Sequence, residues 1–186
     1  MNSNLQIISG RFRGRKLALP VDARPTQNRA RIALFNMLES GIIESGTILR
    51  VWDAFAGSGA FGLECLSRYE RASVIFTDVA PSSVKTVRDN LAKLGIGVSG
   101  TVVQTDAIGA VEKYGADADL IFLDPPYADE KLGRNFVLRL GAVAKSGTVL
   151  VWEQDIGRDI LPDETQWDVL RDKVYGRARF LILRKK

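Results

Sequence analysis

The stretch Asp124-Pro125-Pro126-Tyr127 carries residue types that can do chemistry. The run before it, Asp119-Leu-Ile-Phe-Leu-Asp124, sets four apolar residues between two acids, the pattern of a strand buried on both faces. Two prolines stop that strand, because neither donates a ladder hydrogen bond and each fixes φ. A carboxylate, a rigid bend and an aromatic ring therefore stand together at the C-terminal edge of a central strand, where open α/β sheets bind ligands. Asp124 can accept hydrogen bonds from an amino group. The Pro125 carbonyl can accept another, and the Tyr127 ring offers a face to a flat base. Taken alone, the four residues read equally well as a strand-ending turn with a capping aspartate.

Three further acids follow strand patterns. Thr47-Ile-Leu-Arg-Val-Trp52 reads as a first strand, ends at Asp53, and runs into Ala54-Phe-Ala-Gly57-Ser-Gly59-Ala-Phe-Gly62 before a helix through about Arg68. Gly57, Gly59 and Gly62 have the G-x-G-x-x-G spacing of a dinucleotide loop, or of a tight strand–helix turn. Glycine lets a ligand approach the backbone, and the helix start beyond offers free N–H groups. Ala72-Ser-Val-Ile-Phe-Thr77 reads as a second strand and ends at Asp78, an acid that can take both hydroxyls of a ribose or cap the next helix. Gly100-Thr-Val-Val-Gln-Thr105 reads as a third strand and precedes Asp106, which can take an adenine amino group or cap a short helix over 107–114.

The elements around these acids alternate. A helix over about 81–93 starts at Pro81, stops at Gly95 and turns Val84, Val87, Leu91 and Leu94 to the sheet. A helix over about 131–144 leads to a fifth strand, Thr148–Trp152, and the tail from Trp167 to Arg184 closes as a hairpin around Tyr175-Gly176-Arg177. The order predicts an α/β fold: a doubly wound, mostly parallel sheet with helices on both faces and a β-rich arm at the front.

That arm is basic. In residues 5–20, two short β patterns flank Gly10 and Gly14, and Arg11, Arg13, Arg15 and Lys16 crowd around Phe12. Arg24, Arg29 and Arg31 follow, the first in the turn Arg24-Pro25-Thr26. Thr26 or Asn28 can cap a helix over 28–39 whose Ala30, Ala33/Leu34 and Met37/Leu38 face a core. Charges can simply guard a sheet edge. Their clustering with an aromatic and two glycines favours an arm that contacts nucleic acid.

Composition narrows the chemistry. The chain has 186 residues, 46% of them hydrophobic and 26% charged, enough for one domain with a real core. It has no histidine and one cysteine, which removes the usual general base, a Ser-His or Cys-His nucleophile, a thiolate metal site and an internal disulfide. Catalysis must rest on carboxylates, tyrosine, backbone groups or a cofactor. The net charge of +4 leans toward an anionic partner. Cys65 falls in the helix after the glycine loop and reads as a core residue. No apolar run approaches the roughly 20 residues of a membrane span, and the polar, then basic, start is not a secretory signal, so a cytoplasmic protein is expected.

Together these motifs resemble the class I methyltransferases that use S-adenosylmethionine. Ile8-Ser-Gly-Arg-Phe-Arg-Gly-Arg-Lys-Leu17, Arg24-Pro-Thr26 with Arg29, Arg31 and Leu34-Phe-Asn36, and Phe55-Ala-Gly-Ser-Gly-Ala-Phe-Gly-Leu-Glu64 are similar, nearly end to end, to the RsmD family. The chain has Asn28 where that family has Asp, and Ile32 where it has an acid. The resemblance implies a seven-stranded Rossmann-like methyltransferase sheet over 41–186, preceded by an N-terminal β-hairpin arm and helix over 1–40 that bind RNA through Arg11, Arg13, Arg15, Lys16, Arg24 and Arg29. It implies S-adenosylmethionine held by Asp53, Phe55, Ala56, Gly57, Ser58 and Gly59, by Asp78 and Val79, and by Asp106 and Ala107. The catalytic residues are expected to be Asp124, Pro125, Pro126 and Tyr127, with no metal. The implied reaction is methylation of the exocyclic N2 of a guanine in 16S ribosomal RNA, by a monomer acting on the small subunit or an assembly intermediate. Other readings of the same motifs are an N6-adenine amino-methyltransferase, a nicotinamide oxidoreductase using the glycine loop, and a noncatalytic RNA-binding module.

Overall fold

A computed structural model of the chain describes residues 5–20, 28–44, 46–126, 130–157 and 161–186. Seven strands form one sheet in the order β3-β2-β1-β4-β5-β7-β6. The strands are β1 Leu49–Asp53, β2 Ala72–Asp78, β3 Gly100–Gln104, β4 Leu120–Leu123, β5 Val149–Asp155, β6 Trp167–Tyr175 and β7 Ala178–Lys185. The first five lie parallel, and β7 pairs antiparallel with both β5 and β6. The helices are α1 Asn28–Glu39, α2 Ala60–Arg68, α3 Pro81–Leu94 and α4 Glu130–Val143. This is the doubly wound, mostly parallel sheet that the alternation of patterns predicts.

The continuous apolar run of β4 has a plain cause. Leu120 and Phe122 enter a core on one face, with α1, α2 and α3 above it, while Ile121 and Leu123 enter a second core under α4. A strand covered on both faces has no polar side to show. On α3, Val84, Val87, Leu91 and Leu94 are buried, Pro81 stands in the first turn and Gly95 closes the helix in the left-handed region at φ 68°. Cys65 is buried and free. At the sheet edge β6 is mostly exposed and carries Asp168, Arg171, Asp172 and Lys173, which discourage pairing with another chain.

Some boundaries differ from the sequence pattern. The expected helix over 107–114 is a set of turns followed by a π-helical turn at Val111–Gly115. Its early N–H groups go to short-range acceptors, Gly109 to Asp106 Oδ2 and Ala110 to the Ala107 carbonyl. The wide turn buries Val111 and sets the Tyr114 ring 5.9 Å from Trp52. Strand β5 runs three residues beyond Trp152, because β7 pairs with it as far as Asp155.

The front hairpin is joined by one antiparallel bridge, Gln6 to Lys16, with turns between. It lies on α2. Glu64, fully buried, accepts the N–H groups of Ile8 at 2.8 Å and Ser9 at 2.9 Å. Ser67 donates to the Ser9 carbonyl and accepts the Phe12 N–H. Gly10 sits at φ 80°, and a Cβ there would lie 2.0 Å from the Ser67 carbonyl oxygen, so both the backbone and the close approach require glycine. Arg31, which in the sequence continues the basic run, turns inward instead. It is 3% exposed, donates to the Gln6 carbonyl and faces Glu64 at 3.8 Å.

Candidate active site

The parallel register of β1 and β4 places two turns on one rim of the sheet. Asp53 stands opposite Phe122, and the Ala54 N–H donates to the Phe122 carbonyl at 3.0 Å. The glycine turn therefore leaves β1 beside the point where Asp124 and its prolines leave β4. Both turns emerge at the C-terminal ends of neighbouring central strands, where doubly wound sheets take ligands.

Each glycine of the loop has its own reason. Gly57 and Gly59 lie in the left-handed region, at φ 53° and 76°. A Cβ on Gly57 would meet nothing within 4 Å, so the outer side of the turn is open space. A Cβ on Gly62 would lie 2.3 Å from Phe76 Cε1, so this glycine lets α2 settle on β2. Phe55 is half-buried, 6.2 Å from the Phe136 ring, and Ala56 and Ser58 are buried.

The carboxylates differ in environment. Asp53 is buried; Oδ2 accepts the Gly62 N–H at 3.1 Å, and Oδ1 has no hydrogen-bond partner. Burial drives its pKa up to about 8, the Gly62 bond opposes the rise and the charge of Asp78 adds to it. Asp78 is half-buried and holds the Gly57 N–H with Oδ2 and the Ala80 N–H with Oδ1, both at 2.9 Å. It thus ties the glycine turn to the start of α3, whose first residues receive no side-chain cap. Val79 beside it is exposed, and Ala107 is buried. Asp106 is exposed and caps its turn through the Gly109 N–H at 2.7 Å.

Asp124 keeps part of its surface open, Pro125 is buried and Pro126 is exposed. Burial of the carboxylate, then Glu153, then Asp53 hold its pKa well above the usual carboxylate range. Glu153 is a member of this group that the sequence pattern does not reveal. Leu123 pairs with Trp152, so the next residues, Asp124 and Glu153, stand side by side at the rim. Its signal is an acid directly after the apolar run Val149–Trp152. Tyr127 lies outside the described residues.

Arg11, Arg13, Arg15 and Lys16 are all exposed on the hairpin, with the Arg11 guanidinium 4.5 Å above the Phe12 ring. Arg29 is exposed near the start of α1. Arg24 and Thr26 lie outside the described residues. Asn28 accepts a hydrogen bond from Arg31 at 3.1 Å, and Ile32 is exposed. Among the described residues no group of acids and cysteine is arranged to hold a metal ion, and no helix is long and apolar enough to cross a membrane.

Comparison with known proteins places the chain in a family. The family described as conserved hypothetical protein 95 matches residues 5–184. The chain is 31% identical over 189 residues to ribosomal RNA small subunit methyltransferase D of Escherichia coli K12, covering 100% of this chain and 92% of the relative. A solved Escherichia coli structure assigned as a methyltransferase superposes with a TM-score of 0.80 at 30% identity, covering 97% of each chain. An RNA methyltransferase from Salinibacter ruber, solved with S-adenosyl-L-homocysteine, shares the fold at 18% identity and a TM-score of 0.66, over 87% of this chain and 94% of that one.

Proposed function

Because the chain belongs to the RsmD family, matched from residue 5 to residue 184, we propose that it transfers a methyl group from S-adenosylmethionine to the exocyclic N2 of a guanine in 16S ribosomal RNA, in the small subunit or an assembly intermediate. The observation that carries this reading is the shared rim: the glycine turn and the Asp124 turn leave adjacent parallel strands tied by the Ala54–Phe122 bond.

The residues fit the cofactor. The outer side of Gly57 is open, and the buried Asp53 Oδ1 is unpaired. Asp78 ends the second strand where a ribose acid is expected, and Asp106 and Ala107 follow the third. When bound, S-adenosylmethionine supplies a methyl carbon made electrophilic by its sulfonium.

The rest of the work falls to the chain. An exocyclic amino group is a poor nucleophile, because its lone pair is delocalised into the ring. Asp124 and the Pro125 carbonyl accept its two hydrogens and turn that pair out of the ring plane. As nitrogen gains positive charge the two acceptors bind more strongly, so they favour the transition state over the ground state, and the surplus proton of the methylated nitrogen leaves to water once the C–S bond has broken. Glu153 stands beside Asp124 at the same rim, and its proximity helps hold the Asp124 pKa above the usual carboxylate range. Tyr127 stacks on the base, Pro126 keeps the turn rigid, and the target base leaves its own stack at a cost of a few kcal/mol. The cations of the arm hold phosphates and offset that cost.

The test is methyl transfer to 16S ribosomal RNA or to small subunits from cells lacking the gene. The parent chain is expected to form N2-methylguanine. Asp124→Ala should abolish transfer while S-adenosylhomocysteine still binds. Normal turnover by that variant, or methylation of an adenine, would overturn the reading.

A further inference from the structure

Asn90 lies on α3 with 1% of its surface exposed. Its Oδ1 accepts the Ala18 N–H at 2.8 Å. Its Nδ2 donates to the Ala18 carbonyl and to the Ser58 carbonyl, each at 3.1 Å. Only this orientation of the amide satisfies all three groups, because a flip would set the side-chain oxygen against two carbonyls. Ala18 belongs to the stretch that leaves the basic hairpin, and Ser58 is the middle residue of the Gly57–Gly59 turn. One buried side chain thus touches both.

The neighbouring contacts show how local this link is. Glu64 and Ser67 hold residues 8–12 to α2. The exit of the hairpin is held to α3 instead, by Asn90 and by Lys93, whose Nζ donates to the Lys16 carbonyl at 2.8 Å. Ala18 itself is exposed between the buried Leu17 and Pro20, so packing anchors the two ends of this stretch while Asn90 holds the backbone of Ala18 between them.

We infer that Asn90 is a positioning residue that couples occupancy of the glycine turn to the order of the Lys16–Pro20 stretch, so that bound cofactor prepares the basic arm for RNA. The inference rests on the reading given under Proposed function. All three bonds form only when turn and stretch keep their present separation. A ligand that fixes the turn therefore lowers the ordering cost of the stretch. By linkage, RNA held on the arm must tighten cofactor binding by the same factor.

The test measures binding of S-adenosylhomocysteine and of 16S ribosomal RNA, separately and together, for the parent chain and for Asn90→Ala. In the parent chain saturating S-adenosylhomocysteine is expected to tighten RNA binding by about fivefold or more, the lower end of usual coupling. Hydrogen exchange at the Ala18 amide slows at the same time. In Asn90→Ala both ligands still bind, but the factor falls to about one. A variant that keeps the full factor overturns the inference, as does a parent chain that binds both ligands without coupling. A parent chain that binds neither ligand overturns the reading of the site instead. If Asn90→Ala fails to fold, the parent chain decides: S-adenosylhomocysteine that binds without slowing exchange at Ala18 sinks the coupling.

Discussion

Asp53 shows how one buried carboxylate writes itself into the pH dependence of the fold. In the folded chain its pKa stands at about 8, whereas in an unfolded chain it lies near the ordinary aspartate value of about 3.9. Between those values the folded state holds a proton that the unfolded state has lost. Stability therefore falls as pH rises through this window, by about 1.4 kcal/mol per pH unit from this group. Asp53→Asn keeps an oxygen to accept the Gly62 N–H and removes the charge. Chemical denaturation from about pH 5 to about pH 8 should show a flatter loss of stability in Asp53→Asn than in the parent chain. Equal slopes would mean that Asp53 is already ionised in the folded state. The sequence showed that Asp53, Asp78, Asp106 and Asp124 end successive strands. It did not show that Asp53 lacks a partner for one oxygen, since that depends on how α2 seats over it.

At the scale of elements, the hairpin and α2 behave as one unit held by polar contacts. Gly10 and Gly14 have nearly the same φ, 80° and 81°, but only Gly10 faces a neighbour. Gly14→Ala should cost only backbone strain, on the order of 1 kcal/mol. Gly10→Ala carries that strain and also drives a methyl into the Ser67 carbonyl, so it should cost roughly 1–3 kcal/mol more and free the Ile8–Phe12 amides to exchange. Equal exchange in the two variants would show that the hairpin does not depend on this contact. The docking was hidden in the sequence because Glu64 and its partners Ile8 and Ser9 are 56 and 55 positions apart. Arg31 was more legible than the basic run suggested. It shares a helical stripe with Leu34, Phe35 and Leu38, all buried, at spacings of three, four and seven. The phase of α1 thus separates Arg31, which turns inward, from Arg29, which does not. The π-helical turn at Val111–Gly115 had no comparable signal, because Trp52 and Leu140, from distant elements, shape it.

For the molecule as a whole, a net charge of +4 is too small to decide where RNA lies, and the distribution of the cations matters more. Lys85 pairs with Asp89, Arg139 with Glu112 and Lys145 with Asp119, so those cations are answered by their own surface. Among the described residues no salt bridge holds Arg11, Arg13 or Arg15, and all three are exposed beside the half-buried Phe12. They can be neutralised without leaving a buried acid unpaired, so replacing them with glutamine should barely move stability. Its effect should fall on binding. Each phosphate deprived of its cation lowers the slope of log affinity against log salt by about 0.7 to 0.9, so the triple variant should show a slope shallower by about 2 to 3 on 16S ribosomal RNA. Neutralising Lys85, Arg139 and Lys145 removes the same charge from surfaces where it is already paired, and the slope should stay close to that of the parent chain. An equal drop in both triple variants would mean that RNA responds to total charge alone. The arm would then have no special part in bringing a base to the rim of β4.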